Sequence, residues 1–191
     1  MDYGDTSKIA NFYTEEFGRI AGIVKGARSP RSKIGKTIDV LNHVDLVFYN
    51  KENRDLQVVT QADLNAHFQQ IKSDLEKLKY ASSIIELVSS LTVESDTNKR
   101  LFIGIEKILN RMENESTEPM LLFTMFFKFF IEEIGYGLVT NSCSSTQEDL
   151  KKNKTINYNY EPGYQCEDCA PNYLISFKIS LELFNKIICL S

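Results

Sequence analysis

The sequence has no tryptophan, and in 191 residues it carries only four prolines, two histidines and four cysteines. Each scarcity excludes something. With only His43 and His67 available, no Ser/His/Asp or Cys/His arrangement stands out, so nothing proposes a nucleophile or a general base. Four cysteines behind a polar start (Asp2–Lys8, with no apolar leader) argue for thiols or metal ligands over a disulfide framework. No long apolar run exists either. The longest, Met120–Ile131, is broken by Lys128 and falls short of the ~20 residues of a helical membrane span. The expectation is a cytoplasmic, nucleoid-associated protein with no membrane partner.

One local absence is more informative. Between Arg19 and Lys36 there is no Asp or Glu, yet the stretch holds Arg19, Lys25, Arg28, Arg31, Lys33 and Lys36. The whole chain has 22 basic and 26 acidic residues, a formal charge of -4. Outside this stretch the balance is 16 against 26, so the basic charge is concentrated, which is a statement about partners. Glycines and Pro30 put these cations on a turn or loop. Such a loop suits a phosphate backbone; it also suits plain solvation.

What is present reads as strands followed by helices. Lys8–Tyr13 and Gly18–Lys25 are short strand candidates. Asp39–Tyr49 alternates with period two, and Leu56–Thr60 returns after the polar turn Asn50–Asp55. Several short antiparallel strands suggest a small barrel or sandwich. Thr60–Asp63 then resembles a capping box. Leu64, Phe68, Ile71, Leu75, Leu78, Ile85 and Val88 recur at helical steps as one helix or two. Asp96 or Thr97 is expected to cap a helix bearing Leu101, Ile105, Ile108 and Met112 on one stripe. Pro119 opens a third helix, Met120–Ile134, apolar on nearly every side and therefore expected at the centre, with Gly135 ending it.

Composition shifts again from Leu138 to Pro171. The segment is polar and carries Cys143 and the pair Cys166-Glu-Asp-Cys169. Two thiolates at that spacing can grip one Zn²⁺ from a tight turn, with Cys143 as candidate third ligand; the alternative is a loop whose thiols are relics or small packing groups. The position that would pair with Cys143 is Thr146. Cys189, Asp168 or a water remain open as the fourth ligand. Tyr173–Leu190 reads as a closing helix in preference to a strand pair. Gly35-Lys36-Thr37 resembles the end of a phosphate loop, but the glycine required five positions earlier is Pro30, so a nucleotide-hydrolase reading is set aside.

Taken together, these residues resemble the bacterial recombination mediator family RecO. The stretches that carry the resemblance are Asp2–Ile9 (DYGDTSKI), Tyr13–Arg28 (YTEEFGRIAGIVKGAR), Gln61–Val88, Phe130–Gly137 (FIEEIGYG) and the CEDC turn. It implies an α+β, multi-domain chain: an OB-fold-like β-barrel at 1–60, an α-helical domain at 61–137, a Cys-bearing, zinc-ribbon-like insertion at 138–171, and a helix at 172–191 returning to the helical domain. It implies a non-enzymatic protein that binds and anneals single- and double-stranded DNA. Such a protein works with RecR and single-stranded DNA-binding protein to help load RecA. The family's basic surface maps onto Arg19, Lys25, Arg28, Arg31 and Lys33, with Lys36 beside them. If all six cations touch phosphates, the log–log salt slope of binding is expected on the order of -4 to -5.

Three departures qualify the resemblance. Most of the family's first strand is missing before DYGDTSK, so either the true start lies upstream or an open barrel edge is expected. Thr146 stands in place of a ligand cysteine. The sequence ends soon after the insertion, where the family usually continues with more helix, so a helical bundle short of a wall is expected. The competing expectation is an interaction-only remnant whose helical domain binds a protein partner without DNA.

Overall fold

The computed structural model describes residues 6–51, 53–137, 142–159, 163–169 and 177–189. The chain divides into two compact units, Met1–Phe126 and Phe127–Ser191.

In the first unit, alternating side chains build four strands: β1 (Lys8–Thr14), β2 (Gly18–Val24), β3 (His43–Tyr49) and β4 (Leu56–Ala66). Their order is β1-β2-β4-β3. β1 and β2 form a hairpin, β2 runs parallel to β4, and β3 pairs antiparallel with β4 across two register shifts. A short helix, α1 (Lys33–Thr37), lies between β2 and β3. Val24, Ala27, Ile38 and Val59 are buried together, flanked by Phe12, Ile34 and Phe48. This is the α+β, OB-fold-like arrangement expected, with an open sheet. Among the described residues neither β1 nor β3 has a second strand partner. Both line one cleft of about 830 Å³, floored by Ile85, Val88, Phe102 and Ile105. Neighbouring residues from both faces of β1, Ile9 with Ala10 and Tyr13 with Thr14, reach it. The wall is therefore the strand's edge, not one of its faces.

The strand boundaries differ from the sequence pattern in two places. Asp39–Asn42 is a turn, not strand, because Leu41 takes φ 63° and buries its side chain there. β4 continues through the Thr60–Asp63 segment, so no capping box forms. Gln61, Ala62, Asp63 and Leu64 pair with β3 instead, and ladder hydrogen bonds override the local helix signal.

After the sheet come α2 (Gln69–Ser73) and α3 (Leu75–Leu91). The start of α2 is capped from a distance: Glu113 accepts from the backbone N–H groups of Gln70 and Ile71, each at 2.9 Å. A carboxylate there satisfies two orphan donors and faces the positive end of the turn. Asp74 caps α3, accepting from Glu76 and Lys77. Its buried stripe is Ala81, Ile84 and Val88. Leu78 and Ile85 lie half-buried at its margins, and Leu75, expected on the stripe, is 82% exposed.

α4 (Lys99–Asn114) buries Leu101, Ile105, Ile108 and Met112 as the periodicity predicts, with Leu109 added. Its cap is Asn98, one residue beyond the expected pair, accepting from Leu101 at 2.9 Å. α5 (Pro119–Glu133) runs through the boundary between the units. It is not surrounded on all sides. Leu122, Phe126 and Phe130 are buried at four-residue steps, while Met120, Leu121 and Phe127 are 40–50% exposed. Gly135, at φ 88°, ends it: the Tyr136 N–H reaches back to the Ile131 carbonyl at 2.8 Å, a bond that side chains with a Cβ reach only under strain.

The second unit is built on a three-stranded antiparallel sheet of order β6-β5-β7: β5 (Thr155–Asn159), β6 (Gly163–Gln165) and β7 (Phe177–Ser180). α6 (Leu181–Cys189) follows directly. The segment expected as a helix alone therefore first contributes β7 to the Cys-bearing sheet. Cys143, Leu150, Ile156, Tyr164, Cys166, Ile179 and Phe184 form its buried core.

Candidate nucleic-acid interface and thiol cluster

The basic segment is a sequence of turns pinned at both ends. The Arg28 N–H donates to the Thr6 carbonyl, Ser29 to Gly26, and Ser32 to Ser29. Ser32 Oγ then accepts from Gly35 N–H at 3.1 Å and caps α1. Ala27 and Ile38 are buried against the sheet with Ile34 packed beside them. These three fix the backbone, and the charged residues beside and between them face outward: Lys25, Arg28, Arg31, Lys33 and Lys36 are all exposed. Among the described residues none of the five is paired with a carboxylate. Lys33 and Lys36 lie on one helical turn instead of in a loop.

Gly35 ties the two halves of the segment together. A Cβ at Gly35 would overlap the Ala27 carbonyl, so α1 sits directly against the Lys25–Arg28 turn. That contact gathers Lys33 and Lys36 beside Lys25 and Arg28. Five exposed like charges on one anchored segment, with no carboxylate partner among the described residues, attract a polyanion.

Arg19 is placed differently from the other five. It lies within β2, its side chain is 23% exposed, and its guanidinium meets Glu94 at 3.4 Å. Its Nε is buried with no partner among the described residues. Its backbone carbonyl accepts from Ser95 N–H, so Arg19 joins the sheet to the loop after α3.

The second constellation lies in the other unit. The thiols of Cys143, Cys166 and Cys169 all lie within 4.8 Å of one another, and all three are free of disulfide. Two turns bring them together. Cys143–Thr146 is held by Gln147 N–H on the Cys143 carbonyl and by Cys143 N–H on the Glu148 carbonyl, each at 2.8 Å. Ser144 N–H and Oγ both donate to the Tyr164 carbonyl at 2.9 Å, and Gln165 Nε2 donates to Ser145 Oγ at 3.0 Å. The Cys166–Cys169 turn follows β6 directly, and Cys166 N–H donates to Cys143 Sγ at 3.4 Å.

These donors tune the thiols. Burial opposes the Cys143 thiolate. Hydrogen bonds from the Thr146 hydroxyl and the backbone N–H groups of Cys166, Thr146 and Ser145 outweigh burial and pull its pKa down to about 6. Cys169 moves the other way: its bond to Cys166, then burial, then the nearby Cys143 hold it up at about 12. One thiolate among thiols, wrapped in N–H donors, is a donor set suited to a soft or borderline cation such as Zn²⁺. Three close cysteines are thus able to hold a metal ion. Cys189 is exposed on α6 and lies outside the group. The sequence marked Thr146 only as a missing ligand; its role as a donor to Cys143 needed the fold to bring it into view.

His43 and His67 have structural partners: His43 lies 3.9 Å from Glu106 and edge-on to Phe102, and His67 contacts Asn42 at 3.0 Å. No helix among the described residues is long and apolar enough to cross a membrane.

Comparison with known proteins adds an independent line. The family model for the recombination protein O N terminal matches residues 1–68, and that for the recombination protein O C terminal matches residues 72–185. A DNA repair protein RecO from Chloroherpeton thalassium is 32% identical over 153 residues, covering 80% of this chain and 59% of the relative. One from Alkaliphilus metalliredigens is 28% identical over 179 residues, 94% of this chain and 72% of the relative. One from Halalkalibacterium halodurans is 26% identical over 184 residues, 96% and 70% respectively. The chain spans 58–59% of the length of the relatives from C. thalassium and Pelodictyon phaeoclathratiforme.

Proposed function

Because the chain belongs to the recombination protein O (RecO) family, we propose that it acts in DNA repair as a non-catalytic, DNA-binding mediator. The observation that carries the reading is the cluster Lys25, Arg28, Arg31, Lys33 and Lys36, exposed and free of carboxylates among the described residues, on a segment anchored to the sheet. Phosphate contacts of this kind hold single or double strands without reading sequence. The acidic surplus elsewhere in the chain confines the polyanion to this segment. Arg19, bound to Glu94, supports the sheet that presents the cluster.

Annealing of complementary strands follows from holding two phosphate backbones near one patch. Cooperation with RecR and single-stranded DNA-binding protein, and through them with RecA, is the family role the resemblance implies. Cys143, Cys166 and Cys169 would hold Zn²⁺, which when bound cross-links two turns of a small unit that has a limited core of its own.

The test is binding of single-stranded DNA by the parent and by Lys25→Ala/Arg28→Ala/Arg31→Ala together. Loss of most of the affinity in the triple variant supports the reading. Equal binding assigns the chain instead to protein–protein interaction alone.

A further inference from the structure

The two turns of the thiol cluster are built alike but end differently. Cys166-Glu-Asp-Cys169 closes with a thiol, whereas Cys143-Ser-Ser-Thr146 closes with a hydroxyl. Thr146 occupies the position of a fourth ligand, and its hydroxyl is hydrogen-bonded to Cys143 Sγ. Burial is uneven around the cluster. Cys143 and Cys166 are buried, Cys169 is half-buried, and Ser145, Thr146, Glu167 and Asp168 are exposed. The tips of both turns therefore reach solvent, and Thr146 lies on one of them.

We propose that this cluster is an open metal site: three thiolates hold Zn²⁺, and the fourth position, beside Thr146, is taken by an exchangeable solvent molecule. The inference rests on the reading that the three cysteines hold metal. A neutral alcohol is a poor zinc donor, and structural zinc sites close with four Cys or His ligands. A three-thiolate site with solvent in the fourth position resembles the coordination of catalytic zinc sites, where that position accepts outside ligands. Here the outside ligand would be a small neutral or anionic donor such as an imidazole or a thiol. The two Cys-bearing turns are fixed by Gln165, Tyr164 and Cys166, so they hold the trio without help from a fourth ligand.

The test is cobalt substitution of the purified full chain, read by visible absorption, beside zinc affinity by competition with a chelating dye. The parent is expected to bind one Co²⁺ with strong sulfur-to-metal charge transfer, and added imidazole is expected to shift its d–d bands. Thr146→Cys should close the site: charge transfer rises, the imidazole response disappears, and zinc binds at least about tenfold tighter. Thr146→Ala, which loses the hydroxyl donor to Cys143, should bind zinc no more tightly than the parent yet keep the imidazole response, which separates closure of the site by a fourth thiolate from a mere change at position 146. A parent spectrum indifferent to imidazole, with no tightening in Thr146→Cys, overturns the open site but leaves the metal reading standing. A parent that takes up neither Co²⁺ nor Zn²⁺ overturns both.

Discussion

Gly35 packs its bare Cα against the carbonyl of Ala27, and no side chain fits between them. The contact is small, but it decides where four cations go. Ala27 is anchored in the sheet core and Gly35 lies in the middle of α1. Lys25 and Arg28 flank one partner; Lys33 and Lys36 surround the other.

Gly35→Ala is therefore expected to push α1 off the turn. Inserting a methyl into a closed backbone contact costs about 1–3 kcal/mol, more than the ~1 kcal/mol that Ala gains over Gly in a helix. Urea unfolding should show a lowered midpoint, and DNA affinity should fall although no charge has changed. A variant as stable as the parent contradicts the packing described.

Arg19 and Arg28 separate charge from contact. Both replacements remove one positive charge. Arg28→Ala is expected to reduce the salt slope of single-strand binding by about 0.7, because Arg28 is exposed. Arg19→Ala should leave the slope unchanged and affect stability by at most about 1 kcal/mol, since its bond to Glu94 is half in solvent. Fluorescence titrations at several salt concentrations distinguish them; equal slope changes would place Arg19 on the DNA.

Glu113 is expected to matter for stability alone. Glu113→Ala leaves the N–H groups of Gln70 and Ile71 without their acceptor, at a cost of about 1–2 kcal/mol. Hydrogen exchange should show these two amides losing protection while those of β1 and β2 keep theirs.

The metal-free thiol cluster should make stability depend on pH. The folded pKa of Cys143, about 6, lies below the ordinary thiol value of 9.0. Its contribution is thus complete above about pH 9 and is lost as pH falls through about 6. Cys169 is shifted upward and contributes below its ordinary value, losing that contribution only as pH rises toward about 12. Between about pH 6 and 9 the slope belongs to Cys143. Unfolding midpoints across that range should rise with pH in the parent and flatten in Cys143→Ser. Thr146→Val removes one donor and should raise the Cys143 pKa. A persistent slope in Cys143→Ser would assign it elsewhere.

Much of the architecture is legible in the residues. All four strands of the first sheet were located, β3 by its period of two, although β4 runs on to Ala66, and the stripe of α4 was readable but for Leu109, because amphipathic faces carry their burial in their spacing. The failures have a common cause in tertiary partners. Thr60–Asp63 reads locally as a helix start, but β3 offers it a ladder. The cap of α2 comes from Glu113, more than forty residues away. α5, apolar all round in sequence, buries one stripe only. For the candidate site, the cations were visible as a charge run. Their division into one paired arginine and five exposed residues depended on Glu94, which no local pattern links to Arg19. The three thiols were likewise visible, but not the donors that favour one thiolate.

On the proposed function, the Lys25–Lys36 segment is where this protein meets DNA. The most direct test of that reading is the salt dependence of single-strand binding by the parent and by Lys25→Ala/Arg28→Ala/Arg31→Ala. Five phosphate contacts predict a parent log–log slope of about -3.5, and loss of three predicts about -1.4 in the variant. Identical slopes for the two proteins would contradict the account.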